Sequence, residues 1–184
     1  HMVSKVNGIV SMTGEKLYEP QFIDAVHKTE ELMDIKTKFF VGFADVRESR
    51  YHFYYEFVDE KIDQETAEEF TKVVDRKLQE INNEYESKRA SFRLKAPQAH
   101  ILLSNAYSRF KTACLRDGLR DGQFKFNLLM QDDKRRRKFD QIERRETLSD
   151  KIMEWANNID DNIKERKQKR AQRRTARKER RKKA

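Results

Sequence analysis

The sequence predicts an α+β fold: a small mixed sheet with helices packed on it, followed by a C-terminal helical extension and a basic tail. Aromatic and small residues alternate along two strand-like segments that a turn at Glu48–Arg50 joins into a hairpin. Amphipathic segments, with apolar residues at three- and four-residue steps, precede and follow this hairpin. Such a mixture within about 125 residues is typical of a small α+β domain.

The sequence of the first half of the domain predicts two short strands, a helix and the hairpin. The two short strands lie in Val3–Met12 with a turn at Asn7-Gly8. The helix runs from Glu19 to about Asp34, and the hairpin strands are Lys36–Arg47 and Tyr51–Val58. The hairpin aromatics could form a stacking platform for nucleic-acid bases, but packing against helices is the commoner use of such alternation. We therefore assign them to the core.

The second half predicts a long helix, a buried strand and another helix. Asp63 can cap an amphipathic helix that runs to Tyr85. A strand at Ala99–Leu103 follows, and Asn105 or the serine before it can cap the next helix. His100 in that strand could be a ligand or a base. We interpret it as structural, because we identify no second histidine, paired cysteine or serine constellation to act with it.

The last helix runs into a turn that ends on a lysine. Asp-Gly pairs at Asp117-Gly118 and Asp121-Gly122 flank this turn. Glycine and aspartate adopt positive φ at low cost, so the backbone can bend and then present Gln123, Phe124 and Lys125 as an extended piece. A lysine delivered in this way can reach into a neighbouring site. A helix cap followed by an ordinary surface lysine is the plainer interpretation of the turn alone.

Charge is unevenly distributed along the 184 residues. The whole chain carries +9, but Lys164–Ala184 holds 13 Lys or Arg against two Glu, so the rest is slightly acidic. A hydrophobic fraction of 36%, with 12 Phe and 6 Tyr, suffices for a core. We therefore divide the chain into a tag remnant at 1–2, the α+β domain at 3–130, a helical extension at 131–163 and a solvated or frayed tail at 164–184.

The two C-terminal segments have different patterns. Leu148–Ile163 predicts a helix with a narrow apolar stripe, which would pack back on the domain or associate with a second copy. Lys164–Lys183 has no apolar face. It is either a solvated tail or a nonspecific contact for nucleic acid or another anionic surface. A non-catalytic binding module acting through this tail is one hypothesis for the function.

Several classes of protein are disfavoured by the sequence. No apolar run approaches a membrane span, and no charged and then apolar start marks a secretory signal. The single cysteine, Cys114, cannot form an internal disulfide and is expected to be a buried thiol in a reducing compartment. We therefore expect a cytoplasmic protein. No metal-ligand spacing and no nucleophile constellation is found, which argues against an independent metal enzyme or hydrolase.

Three pieces of the chain, taken in order, resemble a known arrangement. They are Gly14-Glu15-Lys16-Leu17 with Glu19, the run Asn82-Asn83-Glu84-Tyr85-Glu86-Ser87-Lys88-Arg89, and Gly122-Gln123-Phe124-Lys125. In order and spacing over residues 3–130 they resemble the C-terminal domain of the auxin-responsive acyl-acid amido synthetases, the Gretchen Hagen family of the adenylate-forming superfamily. The tyrosine-rich strand from Tyr51 to Glu56 falls where that family has its His-Tyr-x-x-x-x-Glu strand.

The resemblance implies an activity and a site. Members of that family activate a carboxylic acid with ATP and magnesium to an acyl-adenylate, then pass the acyl group to an amino acid. Their C-terminal domain is a mobile lid over a larger ATP-binding domain. By position, Lys125 would be the catalytic lid lysine of the adenylation step, while Lys16 and Gln123 would bind the nucleotide.

The resemblance also implies a partner. The chain contains no Gly-rich phosphate loop and none of the nucleotide-binding strands of the larger domain. We therefore expect that the isolated chain is inactive and that it works with an N-terminal adenylating domain, in the same natural chain or in trans. The carboxylic acid and amino acid substrates would be reached through that domain.

Overall fold

In the computed structural model the described residues are 8–120, 122 and 124–144, and they form five helices, a four-stranded sheet and a two-stranded sheet. In chain order the elements are β1 (Ile9–Val10), β2 (Leu17–Tyr18), α1 (Glu19–Met33), β3 (Thr37–Asp45), β4 (Arg50–Phe57), α2 (Gln64–Ile81), α3 (Asn83–Ala90), β5 (Gln98–Ile101), α4 (Ala106–Arg116), β6 (Leu129–Met130) and α5 (Asp133–Gln141). The predicted α+β class is confirmed. None of the described helices is both long and apolar enough to cross a membrane.

The four-stranded sheet is mixed and has the order β5-β4-β3-β6. Its centre is the predicted hairpin, in which β3 and β4 run antiparallel with Val41 opposite Tyr54 and Ala44 opposite Tyr51. The outer strands β5 and β6 each pair in parallel with their neighbour. Parallel neighbouring strands need crossover connections. The chain therefore passes through α3 before it enters β5, and through α4 and the segment after it before it enters β6.

Both faces of the sheet are buried, which explains why both sets of alternating residues are aromatic or apolar. On one face Phe53 lies 4.7 Å from Phe22 of α1, and Tyr55 lies 5.2 Å from Phe70 of α2, measured between ring centroids. On the other face the partners come from α4 and α5, and the buried residues there are Val41, Phe43, Tyr54, Leu102, Ala106, Phe110, Cys114, Met130 and Phe139. The assignment of the hairpin aromatics to the core is confirmed.

The small sheet at the start differs from the prediction. Among the described residues the partner of β1 is β2, with Val10 opposite Leu17, and residues 11–16 connect the two strands. The predicted strand before the Asn7-Gly8 turn lies outside the described residues. Gly8 has a φ of +90°, and its carbonyl accepts a hydrogen bond from Glu19 N–H at 2.8 Å. This bond ties the start of β1 to α1, which sequence alternation over so few residues does not reveal.

The predicted long helix from Asp63 to Tyr85 is two helices. Asn82 breaks it with extended backbone angles of −138° and 98°. Its side-chain oxygen accepts from Tyr85 N–H at 2.9 Å, and its own N–H donates to the Leu78 carbonyl at 3.0 Å. Asparagine favours such local bonds over helix continuation, so it both ends α2 and caps α3. The apolar spacing continues across the break and therefore did not predict it.

The N-terminus of α4 is capped from another strand. Asn105 has a φ of +63° and its side chain makes no capping bond, so the predicted cap is wrong. Instead the buried Glu56 carboxylate of β4 accepts from the N–H groups of Asn105 and Ala106, both at 2.9 Å. A carboxylate is stabilised at this end of a helix by the free N–H groups. The predicted burial of Cys114 on α4 is confirmed, and burial raises the pKa of its thiol.

Candidate functional site

The loop between β1 and β2 is built around a buried carboxylate. Glu15 is fully buried, and its oxygens accept from the N–H groups of Met12 (3.1 Å) and Thr13 (2.8 Å). They also accept from the hydroxyls of Thr13 (2.8 Å) and Tyr51 (2.9 Å). Burial, and then the charge of Glu15, raises the pKa of Tyr51 well above its usual range, so this hydroxyl remains a donor. These bonds fix the backbone just before Lys16.

Hydrogen bonds hold the backbone of Lys16, whereas its side chain extends into solvent. Its N–H donates to Glu84 Oε2 at 3.0 Å, and its carbonyl accepts from Asn82 Nδ2 at 2.9 Å. The same amide nitrogen of Asn82 donates to Gln21 Oε1 at 2.9 Å, which adds α1 to the support. The Lys16 side chain is exposed. The loop therefore presents an ammonium group from a backbone position that three elements fix.

Helix α3, which holds the backbone of Lys16, is in turn fixed to α2 by a buried acid on α2. Asp75 accepts from the Tyr85 hydroxyl at 2.7 Å and from Arg89 Nη2 at 2.9 Å. Arg89 Nη1 also donates to the Leu94 carbonyl at 2.9 Å, where the chain leaves α3. A buried, hydrogen-bonded ion pair of this kind is destabilising to break. The run from Asn82 to Arg89 thus serves Lys16 as a rigid support.

Lys125 lies in the segment 124–127, which is neither helix nor strand. Its carbonyl accepts a hydrogen bond from Arg135 Nη1 of α5 at 2.9 Å. The rings on either side, Phe124 and Phe126, lie 6.0 and 5.5 Å from Phe110 of α4, measured between centroids. The Lys125 side chain is exposed and makes no ion pair with any described residue. The backbone is held on both sides while the ammonium stays free.

A cleft of about 240 Å³ opens beside Lys125. Its lining is Gly8, Ile9, Val10, Lys125, Asn127, Leu129, Met130, Gln131, Asp132 and Arg135. The cleft therefore lies between the small sheet and the edge of the large sheet at β6. Lys125 and Arg135 contribute two positive charges to the lining and Asp132 one negative charge, a balance that favours an anionic occupant.

Glu19 connects the Lys16 side of the molecule to the Lys125 side. Its N–H donates to the Gly8 carbonyl at 2.8 Å, and its carboxylate accepts from Leu128 N–H at 3.1 Å. Lys16 of the first sequence piece is therefore hydrogen-bonded to Asn82 and Glu84 of the second, and Glu19 is hydrogen-bonded to the segment that follows Lys125. The structure places Lys16 and Lys125 on two linked loops, and no described contact joins the two side chains.

The turn before Lys125 is described in part. Gly118 has a φ of +90°, and Leu119 N–H donates to the Cys114 carbonyl at 3.2 Å, so the first Asp-Gly pair closes α4 as a C-terminal cap. This part of the plainer interpretation is confirmed. Gln123, the other predicted nucleotide ligand, lies outside the described residues.

A pair of histidines lies on the opposite face of the hairpin from α2, and sequence reasoning missed it. His52 Nδ1 is 2.9 Å from His100 Nε2, and His100 Nδ1 is 2.5 Å from Glu143 Oε1. The interpretation that His100 has no second histidine beside it is therefore wrong. Burial, followed by the charges of His100 and Arg136, lowers the pKa of His52 to about 4. The parallel pairing of β4 with β5 creates this contact, and only a knowledge of strand order could have predicted it.

Residues 20–134 match the family model described as the GH3 family C-terminal domain. That match covers more than half of the chain. The second and third sequence pieces lie within the matched residues, and the chain is a member of the GH3 family.

Two solved structures share the fold. One is "GH3.15 acyl acid amido synthetase", with a TM-score of 0.61 and 16% identity, covering 76% of this chain and 27% of that chain. The other is "AtGH3.15 acyl acid amido synthetase in complex with 2,4-DB", with a TM-score of 0.60 and 16% identity, covering 76% of this chain and 26% of that one. The chain thus spans about a quarter of the length of these synthetases. No curated protein sequence matches it.

Proposed function

We propose that this chain acts as the mobile C-terminal lid of an ATP-dependent acyl acid amido synthetase. It would close over a larger adenylating domain and bring Lys125 to the phosphate oxygens of ATP while a carboxylic acid is activated. The observation that supports this most is the setting of Lys125, whose backbone is fixed by Arg135 while its ammonium is exposed and unpaired among the described residues. Such a side chain can enter a site on another domain and leave it again, as a lid requires.

Activation of a carboxylic acid by ATP needs positive charge near the α-phosphate. The carboxylate oxygen attacks phosphorus, the bond to pyrophosphate breaks, and negative charge grows on the nonbridging oxygens and on the leaving group. An ammonium group stabilises that charge best in a closed site from which water is excluded. Loss of one such donor slows enzymes by about 10²–10³-fold. We assign this role to Lys125.

Lys16 is proposed as a second cation that approaches the nucleotide. Its loop is fixed by Asn82 and Glu84, so its position follows that of α3 as the domain moves. Since the Lys16 side chain is exposed, it can contact a phosphate or ribose oxygen across a domain interface. Its contribution would be to bind the nucleotide, whereas that of Lys125 would be to stabilise the reacting phosphate.

The described residues do not fit a magnesium ion beside Lys125. The only carboxylate in the described lining of the cleft is Asp132. It accepts from Arg135 N–H at 3.0 Å and lies 3.6 Å from Arg135 Nε. The two cations of this cleft suit phosphate oxygens and repel a metal cation. We therefore assign no step to a metal ion held by these residues.

The partner in this proposal is an N-terminal adenylating domain that also holds the carboxylic acid and the amino acid. The length relationship supports it, because the chain covers 27% and 26% of the two similar synthetases. No phosphate-binding loop occurs in this sequence, so the nucleotide would have to be held mainly by the partner.

The experiment that tests the proposal supplies the lid to that domain. Acid-dependent exchange of pyrophosphate into ATP is measured with the N-terminal domain alone, with this chain added, and with the variants Lys125→Ala and Lys36→Ala. Lys36 is an exposed lysine between α1 and β3 and serves as the matched control. We expect the chain and Lys36→Ala to restore exchange and Lys125→Ala to restore about 10²–10³-fold less. No restoration by the unaltered chain would contradict the lid role, and equal restoration by Lys125→Ala would contradict its catalytic role.

A further inference from the structure

The turn end of the β3–β4 hairpin carries three potential metal ligands. The ligand atoms of Asp45, Glu48 and His52 all lie within 4.8 Å of one another. Asp45 and His52 are buried, and the Glu48 side chain is half exposed at 51%. The sequence did not predict this group, because the three residues are brought together only when the hairpin folds back on itself.

The His52 ring has an unpartnered nitrogen that is aimed at the two acids. Nε2 of this buried histidine makes no hydrogen bond, and Glu48 Oε2 lies 3.7 Å away, beyond hydrogen-bond distance. The His52 side chain is only 4% exposed, so open solvent does not replace the missing partner. A buried polar atom without a partner is costly, and native proteins rarely leave one without a role.

The hydrogen bond at Nδ1, on the other side of the His52 ring, determines whether Nε2 carries a proton or a lone pair. The Glu143 carboxylate can only accept, so in a tautomer with a single proton on His100 that proton lies on Nδ1, 2.5 Å from Glu143 Oε1. His100 Nε2 then carries a lone pair and accepts from His52 Nδ1–H at 2.9 Å. In this tautomer His52 Nε2 carries a lone pair on the side of the ring that faces Glu48 and Asp45. The hydrogen bond between His52 Nδ1 and His100 fixes the orientation of the His52 ring, as hydrogen bonds to the second ring nitrogen do for imidazole ligands in metal sites.

We propose that Asp45, Glu48 and His52 bind one divalent transition-metal ion, with Zn²⁺ as the best match. One imidazole nitrogen and two carboxylate oxygens are donors that Zn²⁺ accepts at about 2.0–2.2 Å, with a fourth position left for water. Ca²⁺ and Mg²⁺ favour oxygen ligands alone and are expected to bind more weakly. Tetrahedral ligands at these lengths lie about 3.4 Å apart, so binding requires a modest contraction. Glu48 is on the turn and half exposed, so it can supply that movement.

When no metal ion is bound, two arginine side chains balance the negative charge of Asp45 and Glu48. Arg136 Nη2 lies 3.0 Å from Asp45 Oδ2, and Arg50 Nε lies 3.7 Å from Glu48 Oε2. The Nε atoms of both arginines are buried and have no hydrogen-bond partner, so neither guanidinium is fully satisfied in this position. The metal ion would replace these cations at the carboxylates. Removing the charge of Arg136 is therefore expected to strengthen metal binding.

The test measures binding by the full chain without reference to catalysis. Zn²⁺ is titrated by calorimetry, and Co²⁺ is used as a probe whose visible absorption reports ligation. We expect one equivalent to bind, Glu48→Gln and His52→Ala to weaken binding at least about tenfold, and Arg136→Gln to strengthen it. The matched controls are Glu86→Gln and His27→Ala, which change exposed residues away from the cluster and should leave the affinity unchanged.

The same measurements can overturn the proposal. No stoichiometric Zn²⁺ binding, an unchanged affinity in Glu48→Gln, or weaker binding in Arg136→Gln would each contradict it. If His52→Ala does not fold, Glu48→Gln decides the matter, because a half-exposed side chain on a turn can be changed without loss of the core. Equal affinity for Mg²⁺ and Zn²⁺ would also count against a site that uses the imidazole.

Discussion

Buried acids organise this domain at the scale of single residues. Glu15 is out of contact with water and holds the Lys16 loop, and the buried Glu56 holds the start of α4. Each accepts several hydrogen bonds from N–H or O–H groups, which offsets the loss of hydration. Glu is seldom buried in proteins, so neither role could be predicted from the sequence. The three-dimensional arrangement of donors decides it.

Glu30 makes a pH-dependent contribution that can be measured. It accepts from the Thr37 N–H at 2.8 Å and from the Thr37 hydroxyl at 2.5 Å. Burial acts to raise its pKa, but the bonds with Thr37 and His27 outweigh burial and lower the pKa below its usual 4.5. The stabilisation is therefore present above about pH 4.5 and is lost as the pH falls through the lower folded-state pKa.

The variant Glu30→Gln should be less stable than the unaltered chain at pH 7 by about 1–3 kcal/mol. The difference should shrink at an acidic pH below 4.5, once Glu30 is protonated in the folded protein as well. Urea unfolding at the two pH values measures both quantities. The control is Glu31→Gln, an exposed neighbour on α1 that should have little effect. A difference that stays the same at both pH values would show that the charge of Glu30 is not the cause.

At the scale of elements, α1 packs against the sheet at a glycine. A Cβ added to Gly42 of β3 would lie 3.0 Å from Leu129 Cδ1 and 3.2 Å from Phe22 Cε1. The neighbouring β6 and α1 both depend on this close approach. Gly42 is therefore needed for the space it leaves, and not for an unusual backbone angle.

Gly42→Ala is expected to destabilise the domain by about 1–3 kcal/mol through overpacking. Gly122→Ala is the matched control, because a Cβ there meets no atom within 4 Å. Thermal or urea unfolding of the two variants provides the comparison. If both substitutions change the free energy of unfolding equally, the packing of α1 on the sheet is looser than described.

The elements predicted correctly from the sequence are those whose residues show a continuous hydrophobic periodicity. α1, the hairpin and α4 have continuous periodicity, and their positions agree with the prediction to within a few residues. The break at Asn82, the pairing of β1 with β2 and the parallel pairing that joins His52 to His100 depend on contacts between distant residues. A pattern within a short window contains no information on those contacts.

At the scale of the whole molecule, the sequence named candidate site residues but did not reveal the contacts that hold their backbones. The exposed Lys16 and Lys125 were named from the resemblance, and the structure shows each with a fixed backbone. Their supports, Glu19 and Arg135 among them, come from distant parts of the chain and could not be inferred from spacing.

The C-terminal segments lie outside the described residues, and their roles remain predictions. If Lys164–Lys183 binds nucleic acid, the full chain should bind it at low salt, and the logarithm of affinity should fall linearly with the logarithm of salt concentration. A chain ending at Asp161 should lose that binding. Fluorescence anisotropy with a labelled oligonucleotide measures both. Full affinity in the shortened chain, or none in the intact chain, would contradict this alternative function.

The central claim is that Lys125 acts in adenylation and leaves the site for acyl transfer. The direct measurement is to follow the two half-reactions separately in the enzyme assembled with its adenylating domain. We predict that Lys125→Ala slows acid-dependent pyrophosphate exchange by about 10²–10³-fold while transfer from a supplied acyl-adenylate to the amino acid keeps its rate. Unchanged exchange, or an equal loss in both half-reactions, would contradict the account.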